Sequence, residues 1–227
     1  MATPHPPPQA VVFDAYGTLF DVYSVGQTAE RLFPGQGAAL SLLWRDKQID
    51  YTRLRSMSGT YVAFWDLTRA GLRFAAERLG LRLDAKAEDE LMNEYLRLSP
   101  FPENEAVLRE LKARGVPAAL LSNGSPEMLA AAVHSAGFDA LLDPVLSVHA
   151  LRKYKTDPAT YALGPQALGF AAQQILFVSS NGWDAIGATW FGYTTLWVNR
   201  QGLPLEQLDT QPTRIGSSLR DVLNFFF

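Results

Sequence analysis

Ala10-Val-Val-Phe13, four apolar residues, run without a break into Asp14-Ala-Tyr-Gly17-Thr18. An unbroken apolar run that stops at a polar residue and a glycine-containing turn is the pattern of a strand buried on both faces, as in the sheet of an α/β protein. Asp14 is therefore expected at the carboxyl end of a strand. Beyond it the pattern changes. Leu40, Leu43, Trp44, Lys47, Tyr51 and Leu54 recur at three- and four-residue steps, and similar steps mark Tyr61 to Leu79 and Ala87 to Leu98. The stretch from about Tyr23 to Leu98 predicts several helices and no strand.

From Ser99 onward helix and strand alternate. Glu105 to Arg114 is helical and Gly115 ends it; Val116-Pro-Ala-Ala-Leu-Leu121 is a strand ending at Ser122-Asn123-Gly124. Ser125-Pro126-Glu127 is a helix start, with an N-cap, proline at the first helical position and an acid in the first turn. Further strands are expected at Val145 to Val148, Ile175 to Val178 and Thr194 to Val198, separated by helices around Pro158 to Leu168 and Asp184 to Phe191. The fold class that follows is α/β: a doubly wound, parallel-sheet, Rossmann-like core carrying an inserted all-helical cap domain. The core takes residues 10–21 and 99–227, the cap residues 22–98, and the proline-bearing residues 1–9 are expected to form a disordered tail.

Composition narrows the function. A chain of 227 residues, 48% hydrophobic and 19% charged, has ample material for one large or two smaller cores. Its net charge of -3 leaves no electrostatic footprint for nucleic acid. Having no cysteine, it has no disulfide, thiolate metal site or cysteine nucleophile, and suits a reducing cytoplasm. His5, His134 and His149 are too scattered to form a metal-ligand motif. No secretory leader or apolar run long enough for a membrane span is present, so a cytoplasmic protein is expected.

In open α/β sheets ligands bind beyond the carboxyl ends of the strands. The polar residues there are Asp14 and Thr18, Ser122 and Asn123, Lys155, and Ser179, Asn181 and Asp184. Singly, each has a structural explanation: Asp-x-x-Gly is turn chemistry, Ser-Asn-Gly a loop, and Asp184 a helix cap. Together they bring two carboxylates, a lysine and several hydroxyl and amide groups to strand ends, a catalytic pattern.

Phe13 to Thr18, Ser122-Asn-Gly124, Lys155 and Ser179 to Asp184 resemble, in order and spacing, the four motifs of the haloacid dehalogenase superfamily, and the helical insertion resembles its cap. Most members are magnesium-dependent phosphatases with Asp-x-Asp in the first motif, where the second Asp protonates the leaving alkoxide. Here that position is Tyr16. A halide is the anion of a strong acid and needs no proton to leave. Ser180 stands where the phosphatases usually place a magnesium-binding Asp. Leu43 to Ser56 resembles the cap helix of L-2-haloacid dehalogenases, and Phe177 to Asp184 their fourth motif. One departure is Thr156, where that subfamily commonly has proline.

The resemblance implies hydrolysis of small L-2-haloalkanoic acids to D-2-hydroxy acids, with no metal and no cofactor. Asp14 would be the covalent nucleophile, Lys155 its charge partner, and Asp184 the group that activates water, with Ser179 and Asn181 supporting. Thr18 would bind the Asp14 carboxylate and the oxyanion formed in hydrolysis. Ser122, Asn123, Ala15 and Tyr16 would hold the substrate, and Arg45 and Asn123 would receive the halide. Tyr161 would support Ser179 and Lys155, and Phe64 and Trp183 would wall the substrate's apolar side; Trp44 is either a wall or core packing. A homodimer built partly on cap helices is implied. Two other readings are a magnesium-dependent phosphatase of the same superfamily and a non-enzymatic phospho-accepting receiver module, though a receiver is much shorter and lacks an insertion after its first strand.

Overall fold

A computed structural model describes residues 7–227. Most of the expected tail, and His5 with it, lies outside the described residues. Its last two residues do not follow the expectation: Pro8 is buried, and the Gln9 N–H donates to Gln174 O at 2.7 Å. Order therefore begins ahead of the first strand, because a parallel neighbour is already there to pair with.

After β1 (Ala10–Phe13) come four helices with no strand among them: α1 (Gly26–Leu32), α2 (Gly37–Ser58), α3 (Phe64–Arg78) and α4 (Ala85–Glu94). The core resumes with α5 (Asn104–Ala113), β2 (Ala118–Ser122), α6 (Pro126–Ser135), β3 (Val145–Ser147), α7 (Pro158–Tyr161), α8 (Leu163–Leu168), β4 (Ile175–Ser179), α9 (Gly182–Phe191), β5 (Thr194–Val198) and β6 (Arg214–Gly216). The six strands are parallel, in the order β3-β2-β1-β4-β5-β6. The central strands are buried at every residue, which explains their continuous apolar runs. The order reverses about β1, so the crevice between the ends of β1 and β4 is where ligands bind in this topology. Asp14 and Ser179 stand at those two ends.

Two chain segments join the helical cap to the core side by side. The Asp21 N–H donates to Ser99 O at 2.8 Å, Phe20 pairs with Pro100 in an antiparallel bridge, and Asn104 Nδ2 donates to Leu19 O at 2.8 Å. An aromatic cluster seals the cap to the sheet. Tyr16 stacks on Phe64 with centroids 5.4 Å apart and lies 6.1 Å from Tyr95, and Trp44 lies 4.8 Å from Tyr95. Each such pair contributes about 0.5–1.5 kcal/mol beyond area burial. Trp44 is thus core packing; its Nε1 donates to Thr68 O at 2.7 Å.

The apolar stripe expected along α2 does not describe its buried face. Leu54 is 60% exposed and Lys47 is half-buried, whereas Ser41, Arg45, Gln48 and Thr52 are buried beside Leu40 and Trp44. Polar side chains occupy the inner face because it roofs a polar cavity. Among the described residues no helix is long and apolar enough to cross a membrane.

Candidate active site

The carboxylate of Asp14 leaves β1 at the switch point, its backbone N–H held by Val178 O at 2.9 Å. Gly17 turns the chain back at φ +90°, a conformation that disfavours any side chain. The turn returns Thr18 to the carboxylate it follows. Thr18 Oγ1 donates to Asp14 Oδ2 at 2.9 Å, its lone pair taken by the Ser180 N–H at 2.8 Å. Asn181 Nδ2 donates to the same oxygen at 2.9 Å and Ser179 Oγ at 3.4 Å. Oδ1 has a different environment: Lys155 Nζ donates to it at 3.0 Å.

Lys155 is 2% exposed and lies between two carboxylates, 3.0 Å from Asp14 Oδ1 and 3.0 Å from Asp184 Oδ2. Burial by itself would lower the lysine pKa; the two acids outweigh it, and the lysine is held above its ordinary value. Asp184 is wholly buried, and burial, together with the charge of Asp14, raises its carboxyl above the usual aspartate range against the pull of Lys155. Lys155 is therefore held in its charged form, because the two acids together outweigh the burial that opposes it. Removing the lysine would leave buried acids unpaired, a loss of about 3–5 kcal/mol.

Asp184 does not cap its helix; no side chain caps the start of α9. Its Oδ1 instead accepts the Tyr161 hydroxyl at 2.8 Å. The expectation for Tyr161 needs correction on this point. Its partner is Asp184 rather than Ser179 or Lys155, and it stands behind that acid, wholly buried, instead of lining the cavity. Gly187, one turn along α9, permits the approach: a Cβ there would fall 2.5 Å from Tyr161 OH and 2.7 Å from Thr156 Cγ2.

The cavity over Asp14 has a volume of ≈ 20 Å³, about the room for one water molecule. Tyr16, Ser122, Asn123, Asn181, Phe64 and Trp183 line it, and α2 lies over it with Arg45. Arg45 is 7% exposed; its Nη2 donates to Asn181 Oδ1 and to Tyr16 O, both at 3.1 Å. It is no surface charge. Asn123 Oδ1 accepts the Lys155 N–H at 3.0 Å, and Ser122 Oγ accepts the Gly124 N–H at 3.1 Å. The backbone N–H groups of Ala15, Tyr16 and Asn123 donate to no carbonyl of the described residues. The Ala15 side chain itself is outside the lining.

Three lining residues were not anticipated: Gln48, Ile49 and Thr52. With Arg45 they form one helical face at steps of three, four and seven, a signal legible once Arg45 is oriented inward. A larger hollow of ≈ 830 Å³ between α1 and α2 is lined by Tyr23, Glu30 and Leu42 among others and includes neither Asp14 nor Arg45 in its lining.

Two features bear on metal binding. Among the described residues no group of three or more His, Cys, Asp and Glu side chains is placed to hold an ion. Ser180, at the position where the phosphatases use an acid, accepts Arg200 Nη1 at 2.7 Å, so a cation already stands there. Tyr16, at the other substituted position, is a phenol and not a carboxylic acid, and burial raises its pKa.

Residues 8–192 match the family described as haloacid dehalogenase-like hydrolase. An (S)-2-haloacid dehalogenase of Pseudomonas sp. (strain YL) is 48% identical over 218 residues, 96% of this chain and 94% of that protein. A solved L-2-haloacid dehalogenase is similar at 60% identity and a TM-score of 0.95, over 97% of this chain and 99% of that one. The L-2-haloacid dehalogenase from Xanthobacter autotrophicus with chloropropionic acid covalently bound is 37% identical, with a TM-score of 0.89 over 96% and 97% of the two chains. On the family match and these identities, the chain belongs to the haloacid dehalogenase-like hydrolases.

Proposed function

We propose that the protein hydrolyses L-2-haloacids to D-2-hydroxy acids through an ester on Asp14, without a metal. One observation carries this reading: a carboxylate and a guanidinium face one cavity in which the position of the phosphatase carboxylic acid is held by Tyr16, a buried phenol whose pKa burial raises further. That chemistry suits a leaving group that departs as a stable anion.

The two oxygens of Asp14 have separate roles. Oδ1 accepts one hydrogen bond and keeps a lone pair for attack on substrate carbon 2; the carbon–halogen bond breaks and its electron pair leaves with the halide toward Arg45 and Asn123. The negative charge lost by Asp14 thus reappears beside a guanidinium. Oδ2 becomes the ester carbonyl, surrounded by Thr18, Asn181 and Ser179. When water attacks the carbonyl carbon those three donors stabilise the oxyanion, and Asp184 takes the proton. On collapse Asp184 returns that proton to the departing Oδ1, the new Asp14 carboxyl loses its own proton to solvent, and the hydroxy acid leaves with Oδ1 as its hydroxyl oxygen. The free N–H groups of Ala15, Tyr16 and Asn123, with Ser122, receive the substrate carboxylate. Phe64 and Trp183 wall its apolar side.

Residues 22–98 act as the cap over a core of residues 10–21 and 99–227, supported by the paired linkers at Asp21 and Ser99. The same reading includes a homodimer, supported by the exposed Leu42, Leu54 and Met57 along α2, and a cytoplasmic location, which a cysteine-free chain suits; sedimentation and cell fractionation test these. The central test is halide release from the two enantiomers of 2-chloropropionate in the presence of EDTA. Release from the L-form alone, unaffected by chelation, is expected. Activity restored only by magnesium, or hydrolysis of a generic phosphate ester instead, would turn the reading to a phosphatase.

A further inference from the structure

A chain of hydrogen bonds runs from the interior of the cap to the nucleophile, and its cap half has no part in the roles above. Thr68 Oγ1 donates to Phe64 O, one turn back along α3, at 2.8 Å. With its proton committed there, the hydroxyl accepts Gln48 Nε2 at 2.6 Å. The amide is thereby turned so that Gln48 Oε1 accepts Arg45 Nη1 at 2.6 Å. On the other side Arg45 Nη2 donates to Asn181 Oδ1, and Asn181 Nδ2 to Asp14 Oδ2.

Arginine only donates and a carboxylate only accepts, so both amides have a single satisfactory orientation. Gln48 and Thr68 are wholly buried. Polar groups in such a place are costly unless fully bonded, and an apolar pair would pack α2 against α3 without that demand. Their satisfaction ends at one group, the guanidinium. Three of its five N–H donors are held by Gln48, Tyr16 and Asn181, which leaves the second Nη1 hydrogen and the Nε hydrogen for an anion.

We propose that Gln48 and Thr68 are positioning residues that fix the Arg45 guanidinium for the departing halide and so set discrimination among halides. The proposal rests on the dehalogenase reading above. A hydrogen bond weakens steeply as its distance and angle depart from ideal. Chloride, a poorer leaving group than bromide, depends more on aligned donors as the carbon–halogen bond breaks. A guanidinium freed to tilt therefore loses more of its effect on chloride than on bromide.

Thr68→Val keeps the shape and removes the hydroxyl, Thr68→Ser keeps the hydroxyl, and Gln48→Leu removes the whole link. Turnover of L-2-chloropropionate and L-2-bromopropionate is measured with kcat and KM separated, and sodium bromide is titrated onto the resting protein by NMR line width. In Thr68→Val, kcat on the chloro substrate should fall about tenfold, the equivalent of one buried hydrogen bond. The bromo substrate should lose clearly less, bromide should bind more weakly, and Thr68→Ser should restore all three values. Equal losses on both substrates, or an unchanged ratio with unchanged bromide affinity in folded Thr68→Val, overturn the proposal. If the wild-type protein releases no halide at all, the dehalogenase reading fails by itself. The bromide titration then still decides whether Thr68 controls the anion affinity of Arg45: weakening in the valine but not the serine variant supports it, and no difference refutes it.

Discussion

Replacing Thr18 by valine tests the separate roles of the two Asp14 oxygens. The variant keeps the branched shape and deletes one donor from the three around Oδ2. Thr18 and Asn181 approach that oxygen at 2.9 Å and Ser179 at 3.4 Å, so the hydroxyl of Thr18 is one of two well-placed donors. Loss of one such donor to a developing oxyanion slows a reaction by about 10²–10³. The oxyanion forms only when the ester is hydrolysed. During its formation negative charge leaves the carboxylate, and the same donors stabilise the starting state. Halide should therefore appear in a fast burst of about one equivalent per site, followed by slow turnover, and quenched samples should show protein esterified at Asp14 by the 1-carboxyalkyl group of the substrate. A structural penalty accompanies this, because the Ser180 N–H loses its acceptor. An unsatisfied buried donor costs about 1–3 kcal/mol, a few degrees or more in Tm for a chain of this size. Ser179→Ala, which removes the longer bond, should behave similarly but more mildly. If the burst slows in step with turnover and no adduct accumulates, Oδ2 is not the oxyanion and the assignment is wrong.

In water enriched in oxygen-18, with enzyme in excess, the first hydroxy acid should be unlabelled and the Asp14 peptide should become heavy over repeated turnovers; labelled product from a light enzyme would make Asp14 a general base. Gly187→Ala should lower stability by about 1–3 kcal/mol through overpacking against Tyr161 and Thr156, with part regained in the double variant with Tyr161→Phe; a urea midpoint equal to wild type would refute the close approach. Hydrolysis should fail on the acid side as pH drops through the raised pKa of Asp184, above the ordinary aspartate value of 3.8, and Asp184→Asn should abolish that limb and trap the ester. The sign for stability is the reverse: ionised Asp184 is disfavoured in the fold, so its cost is present above the folded pKa and is relieved as pH falls. Lys155, raised above 10.5, contributes its full stabilisation below that value and loses it only as pH rises through the higher folded value. A loss of folding near neutral pH traceable to Lys155 would contradict this.

The central strands were legible because burial on both faces leaves an unbroken apolar run; Thr194 to Val198 matches β5 end to end. β6 was not, since three residues at a sheet edge, with Arg214 and Ile215 exposed, carry neither length nor pattern. The motif residues around Asp14 were legible as chemistry at strand ends. The inner face of α2 was hidden for the opposite reason. Hydrophobicity selects Leu54, which is in solvent, and passes over Gln48 and Thr52, whose polar ends are satisfied inside. Tyr161 was assigned the wrong partner because the turn of α9 that presents Asp184 depends on the packing of Gly187, which leaves no trace in local propensity.

The paired linkers at Asp21 and Ser99 give the molecule a particular order of assembly. Of the six described strands β1 is made earliest, yet its neighbours are β2 and β4, with Val11 set against Ala118 on one side and Leu176 on the other. The whole helical excursion is synthesised before either arrives. Contacts so distant along the chain slow folding, and until they form β1 is an apolar segment with two open edges. The helices between, rich in local contacts, are able to form first and draw Leu19 to Asp21 toward Ser99 to Phe101. Closing that neck shortens the search of β1 for β2. The excursion that roofs the Asp14 cavity is, during synthesis, also the tether that brings the sheet together.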